Sequence, residues 1–205
     1  MTYDEIVQAA LSYADRVDTE TMSQMDIFLR VVEARINRKI KTQEMSVRSQ
    51  LTLIEGQEYY ALPNDYGGMR DIEIRPTNSS YKRTPSSYLN PEQFDNAVTN
   101  NLNENYYTIV AGQIQIYPTK PTGYILEIIY YRKLIPLNST NTENWLSINN
   151  PDAYIFGLLT EIKSFVQDKE GAVLWDSRFK ESIDDIDLND SKTRWAGNSL
   201  QVRVT

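Results

Sequence analysis

Residues 150–187, NPDAYIFGLLTEIKSFVQDKEGAVLWDSRFKESIDDID, predict two consecutive amphipathic helices. Pro151 suits the first turn of a helix, because that position needs no backbone N–H donor. Gly171 interrupts the helical pattern and separates the two segments. Apolar residues recur at helical spacing in both: Ile155, Leu158, Leu159, Ile162, Phe165 and Val166, then Leu174, Trp175, Phe179, Ile183 and Ile186. A helix pair of this length cannot bury its apolar stripes alone.

The N-terminal residues predict a second helix pair. The first helix, Thr2 to Arg16, opens with a capping box in which Glu5 follows Thr2 by three residues. The second begins near Thr21 or Ser23, and its apolar stripe comprises Met25, Phe28, Leu29, Val32, Ile36 and Ile40. If the two pairs pack together, all four stripes are buried in one four-helix bundle.

Between the helix pairs the apolar period changes to alternation, which is typical of strands. Met45–Ile54 and Tyr59–Leu62 read as a hairpin joined by a turn at 55–57. The segment PNDYGG, with Gly67 and Gly68, reads as the next turn, and Met69–Arg75 as the strand that follows.

A short helix capped by Asn90 follows, and then three strands that read as a meander: Tyr106–Val110, Gln113–Tyr117 and Tyr124–Arg132. Residues 135–150 read as a loop. The predicted fold class is therefore α+β, a four-helix bundle with an antiparallel β-rich insertion. The predicted parts are the N-terminal helix pair 1–44, the β-rich insertion 45–150, the C-terminal helix pair 151–190 and an extended tail 191–205.

Composition excludes several classes of function. The chain of 205 residues has no cysteine and no histidine, which removes disulfides, thiolate metal sites and histidine acid–base chemistry. Its net charge of −7 argues against a grip on nucleic acid, although an acidic protein can surround DNA without holding it. The first residues do not resemble a signal peptide, and no apolar run is long enough for a membrane helix. We predict no catalytic, cofactor-binding or metal-binding residue and no cofactor.

Carboxylates remain the only catalytic candidates. Asp65, Asp71 and Glu73 lie near several of the 14 tyrosines, a combination that suits a module that binds or cleaves a glycan. The alternative is structural, since Asp65 lies in a turn and the other two follow the solvent-facing alternation of a strand. Tyrosine likewise suits either the wet face of a sheet or contacts between chains.

Two oppositely charged helix faces are candidate protein interfaces. A basic stripe includes Arg30, Arg35 and Arg38, and an acidic face includes Glu181, Asp184, Asp185 and Asp187. Each is either a solvated helix face or half of a head-to-tail contact between copies, which closes into a ring when the rotation allows. The tail after Asp190 is either unstructured or adds to the sheet edge of a partner. Its docking candidates are Trp195, Leu200, Val202, Arg203 and Val204.

Three segments in this order resemble the head-to-tail adaptor (connector) proteins of tailed bacteriophages, particularly short-tailed phages. They are YYALPNDYGGMRDIEI at 59–74, IVAGQIQIYPTKPTGYILEIIYY at 109–131 and the helical segment 150–187. The resemblance covers Thr2 to about Asp190, and the tail departs from it.

The resemblance implies a structural protein of the virion neck, made in the host cytoplasm. About twelve copies would form a ring that contacts itself, the portal protein and a tail or nozzle protein. DNA would pass through the lumen without specific binding, and the tail would dock on the portal. The alternatives are the glycan module and another neck or tail-completion protein.

Overall fold

The computed structural model describes residues 1–78, 84–102 and 104–195. Contacts divide the chain into two compact units. The first, which we call the helical unit, consists of Met1–Glu44 and the chain from Leu134 onward, and the second, the β unit, is Met45–Lys133. Across the described residues the fold class is α+β, with six α-helices and two sheets.

The helical unit contains five of these helices. They are α1 (Tyr3–Ala14), α2 (Thr19–Lys39), α4 (Trp145–Asn149), α5 (Pro151–Phe165) and α6 (Lys169–Trp195). A short 3-10 helix, Gln43–Met45, follows α2. Helix α5 packs against α1, α2, α4 and α6, so it is the central helix of the unit. Its residues Ala153, Tyr154, Leu158, Leu159 and Ile162 are fully buried.

Local signals account for the helix starts. The capping box of Thr2 and Glu5 is confirmed, since each side chain accepts a hydrogen bond from the backbone N–H of the other residue. Helix α2 begins at Thr19, earlier than predicted, because Asp18 caps it by accepting from the Thr21 N–H at 2.8 Å. Pro151 opens α5 as predicted.

Two helical predictions need correction. Trp145–Asn149 was predicted as loop but forms α4, because Asn144 and Ser147 make a capping box at its start. Helix α6 continues past the predicted end at Asp190 to Trp195, where Arg194 binds Asp190 one turn earlier at 2.6 Å. Residues 196–205, which form most of the predicted tail, lie outside the described residues.

The described residues of the β unit form eight strands and helix α3 (Pro91–Thr99), which Asn90 caps as predicted. One sheet has the order β1-β8-β3-β4 and the other β2-β7-β6-β5. The strands are β1 (Ser46–Thr52), β2 (Tyr59–Ala61), β3 (Tyr66–Pro76), β4 (Thr84–Pro85), β5 (Ser87–Tyr88), β6 (Tyr106–Val110), β7 (Gln113–Tyr117) and β8 (Tyr124–Arg132). Both sheets contribute to one apolar core, which includes Tyr60, Ile72, Ile114, Leu126 and Ile128.

The predicted strand pairings are partly wrong. The turn at 55–57 exists, but β1 pairs with β8 in one sheet while β2 pairs with β7 in the other, so they form no hairpin. The predicted meander is a hairpin of β6 and β7 only, and β8 lies in the first sheet between β1 and β3. The short β5–β6 pair is parallel, in a unit otherwise antiparallel among its described strands.

The two glycines of PNDYGG lie in a strand and form no turn, contrary to the prediction. The turn is earlier, where the Tyr66 N–H donates to the Pro63 carbonyl, and β3 begins at Tyr66. The β3–β8 register shifts between Tyr66 and Gly68, as at a β-bulge. A Cβ atom at Gly67 would lie 2.9 Å from the Tyr131 carbonyl oxygen. Glycine is required there because the neighbouring backbone comes too close for a side chain.

None of the helices in the described residues is long and apolar enough to cross a membrane.

Candidate protein interface

The charged residues predicted as an interface all lie in the helical unit. Arg30 and Arg38 are exposed on α2. The predicted acidic residues are exposed on α6: Glu181, Asp184, Asp185 and Asp187. Their contact with a neighbouring copy stays a prediction, but their exposure leaves them accessible to one.

Arg35 differs from the other predicted arginines because it binds acids of its own chain. Its guanidinium donates to Glu161 on α5 at 3.1 Å and to Asp176 on α6, and it lies 4.6 Å from the centre of the Phe179 ring. Burial alone would raise the pKa of Asp176, but Lys180 and Arg35 hold that pKa below its usual value. Arg35 therefore links α2, α5 and α6 inside one copy.

Next to Arg35 is a surface pocket of about 220 Å³ between α2 and α6. Phe179 and Ile183 give it an apolar floor, and Lys39 and Lys180 add positive charge. Arg38 and Asp184 border the same pocket from opposite helices. Complementary charge thus already exists across α2 and α6 within a single chain, which sequence alone could not reveal.

Exposed apolar side chains accompany the charges, and the sequence reading missed them. Leu174 on α6 was predicted within the apolar stripe, but it is 53% exposed. Val173 and Leu188 on α6, and Ile27 and Val31 on α2, are exposed outside the predicted stripes. The solvent-facing side of a helix is usually polar. Apolar residues that fall outside the spacing of the buried stripe were therefore the available signal. Such residues on two charged faces favour contacts with another protein.

A buried carboxylate, also missed, holds the segment before α4 onto α2. Glu33 Oε1 accepts from the Leu137 N–H at 2.8 Å and from the Tyr154 hydroxyl at 3.4 Å. Nearby, Asn37 Oδ1 accepts from the Leu134 N–H at 2.7 Å. Burial raises the pKa of Glu33, although these donors and Arg30 act in the opposite direction. Residues 134–137 are thereby attached to the helical unit.

The carboxylates considered for glycan chemistry have structural partners in the β unit. Asp65 accepts from the Tyr130 hydroxyl at 2.9 Å, and Asp71 accepts from the Ile72 N–H at 2.8 Å. Glu73 lies opposite the buried Glu127 in the β3–β8 register. Arg48 and Arg75 approach Glu127 at 3.4 and 3.6 Å, and Gln50 donates to it at 2.7 Å. The two arginines offset the negative charge of the buried Glu127.

The described residues contain no group of three or more His, Cys, Asp or Glu side chains that could hold a metal ion. Of the predicted docking residues, only Trp195 falls in a described element, as the last residue of α6. Leu200, Val202, Arg203 and Val204 lie outside the part of the chain that the structure describes.

A model of the SU10 adaptor protein family matches residues 1–203. Because this match covers almost the entire chain, the chain belongs to that family, and the predicted resemblance to phage head-to-tail adaptors is confirmed. The family consists of structural phage adaptor proteins and is not an enzyme family. Membership implies interaction with portal and tail proteins and a location in the virion neck. No curated protein matches the chain.

Proposed function

We propose that about twelve copies of this chain form a ring between the portal and the tail of a phage virion, through which the genome passes. The family match over residues 1–203 is the observation that carries this proposal. Within each copy, the N- and C-terminal helix pairs would form a four-helix bundle that carries the β-rich segment.

Opposite charges on two helices of one unit support a head-to-tail contact. Arg30 and Arg38 are exposed on α2, and the acidic residues are exposed on α6. Each copy would present its basic face to one neighbour and its acidic face to the other, which is the arrangement that a ring requires. Arg35 takes no direct part, because its guanidinium is bound to Glu161 and Asp176 of its own chain. The charges would govern register and choice of partner more than affinity.

The net charge of −7 suits a channel for DNA. An acidic lumen repels phosphate within about one Debye length, roughly 8–10 Å at physiological salt. The genome would therefore slide through without specific binding. This part of the proposal needs no DNA-binding residue on the chain.

The C-terminal tail and the β unit would have different partners. The last residue of α6 and the tail that follows it would dock on the portal, through Trp195, Leu200, Val202, Arg203 and Val204. The β unit would meet the tail or nozzle protein. Short apolar segments at a chain end commonly bind by adding a strand to a partner.

Sedimentation of the purified portal protein with and without this chain tests the proposal. We expect the portal complex to gain mass in a fixed stoichiometry of one chain for each portal subunit. A chain truncated after residue 195 should lose most of this binding while its helical content is unchanged. If the portal sediments identically with and without the full chain, the proposal is wrong.

A further inference from the structure

Helix α2 has exposed apolar side chains on the face opposite its buried stripe. Ile27 and Val31 are 54% and 40% exposed, whereas Val32 and Ile36 on the opposite face are fully buried. Arg38 follows Ile27 by eleven positions and Val31 by seven. Both spacings return to the same side of an α-helix, so Arg38 follows the apolar residues on this side, at the edge of the pocket next to Arg35.

Helix α6 also has exposed apolar residues that precede charged ones, and there the charges are negative. Val173 and Leu174 are 72% and 53% exposed. Asp184 follows Val173 by eleven positions, and Glu181 follows Leu174 by seven. On both helices, therefore, each exposed apolar residue precedes a charged residue on its own side of the helix. The separations are seven and eleven residues, or about 10 and 16 Å along the axis.

The two helices also run in the same direction within one copy, with their matching residues level. Arg35 of α2 binds Asp176 of α6. Shortly after the end of α2, the Gln43 N–H donates to Asp190, further along α6, at 2.8 Å. Val31 lies four residues before Arg35 and Leu174 two before Asp176. Their axial positions therefore differ by only about 3 Å at 1.5 Å per residue. The same difference, in the same sense, separates Arg38 from Glu181, because each follows its apolar partner by seven residues.

A ring preserves this match between neighbouring copies. Rotation about a ring axis adds no translation along it, and neighbours in a ring of about twelve differ by about 30°. For helices that run along the axis, α2 of one copy and α6 of the next stay nearly parallel and at the same level. Val31 then faces the level of Leu174 in the next copy, and Arg38 that of Glu181.

We infer that the outward face of α2 binds the outward face of α6 of a second copy in parallel, with Ile27 and Val31 against Val173 and Leu174. Arg38 then pairs with Glu181. This inference rests on the proposed ring and identifies the surface that closes it. Burial of the exposed apolar side chains supplies the affinity, and the flanking charges exclude other registers.

Engineered cysteines test the contact, because the natural chain has none. The double variant Val31→Cys/Leu174→Cys is assembled on its portal and treated with a short bis-maleimide. A head-to-tail contact should yield a ladder of linked multimers on a denaturing gel, and each single variant should stay monomeric. The matched control, Val31→Cys/Leu188→Cys, moves the second thiol by fourteen residues, or about 21 Å, and should give no ladder.

The outcomes separate this inference from the proposed function. Dimers from either single variant would reveal a two-fold contact and overturn the inference. If the chain still assembles on the portal but the Val31/Leu174 pair gives no ladder, or the control pair gives an equal one, this interface is wrong while the ring stands. If the unmodified chain does not assemble on the portal at all, the proposed function fails and the inference fails with it.

Discussion

Gly157 on α5 lies so close to Val32 on α2 that a Cβ atom at position 157 would be 2.6 Å from Val32 Cγ1. The same Cβ would lie 3.2 Å from Cε2 of Phe179 on α6. Real Cβ atoms essentially never approach another atom as closely as the first of these distances, and the second is tighter than most, so the glycine permits both α2 and α6 to approach α5 at one level. The helical unit depends on this close approach.

We predict that Gly157→Ala destabilises the protein by about 1–3 kcal/mol, because overpacking outweighs the gain of about 1 kcal/mol in helix propensity. Val32→Ala alone should cost about 2 kcal/mol, since it removes a buried side chain. In the double variant the smaller residue makes room for the added methyl group, so the cost should be less than the sum. Urea denaturation of the four proteins measures this coupling. Strict additivity would mean that the close contact is unimportant.

Arg35→Ala should reduce stability by about 1–3 kcal/mol, because Glu161 and Asp176 lose the cation they share in a partly buried site. The exposed Arg38→Ala is the matched control on the same helix and should change stability by less than about 0.5 kcal/mol. The lowered pKa of Asp176 adds a pH signature. Its stabilising contribution is complete above the ordinary value of 3.8 and disappears as pH falls through the folded-state pKa. Equal effects of the two substitutions would refute the role given to Arg35.

Glu33→Ala should cost about 1–3 kcal/mol at pH 7, since the Leu137 N–H and the Tyr154 hydroxyl lose their buried acceptor. Glu33→Gln keeps an acceptor oxygen and removes the buried charge. Because the folded-state pKa of Glu33 is raised, the wild-type protein loses stability as pH rises above the ordinary value of 4.5. Between pH 4 and 7, the stability of the glutamine variant relative to the wild type, measured by thermal unfolding, should therefore increase. A pH-independent difference would contradict this account.

Charge reversal tests the pairing between copies. Arg38→Glu should weaken assembly on the portal, because it sets like charges against Glu181 of the next copy. Adding Glu181→Lys should restore assembly, whereas adding Glu170→Lys on the same helix, eleven residues away, should not. Mass photometry of portal complexes gives the measurement. Unchanged assembly of the first variant would mean that Arg38 lies outside the contact.

The helices could be predicted because their signals are local. Thr2 with Glu5, Asn90 with Pro91, and Pro151 define helix starts within one turn of sequence, and the structure has helices at each. Strand partners carry no such local signal. Thr52 of β1 faces Ile125 of β8, far along the chain, and alternation is the same whichever strand is the partner. The two-sheet arrangement therefore had to come from the structure.

The sequence predicted which charged residues of the candidate interface are exposed. It did not predict which of them form ion pairs within the chain. Arg30, Arg38 and the acids of α6 are exposed as a solvated or binding face requires. Arg35 has the same sequence context, yet its partners Glu161 and Asp176 come from two other helices, which only the packing of α5 brings together. Ile27 and Val31 could have been noticed, since they fall outside the buried stripe of α2.

Single-particle electron microscopy of the chain mixed with its portal protein tests the central claim most directly. The account predicts one added ring on the tail side of the portal, in which the helical unit of each copy touches two neighbours. A portal reconstruction identical to that of the portal alone, or bound copies that do not touch one another, would contradict it.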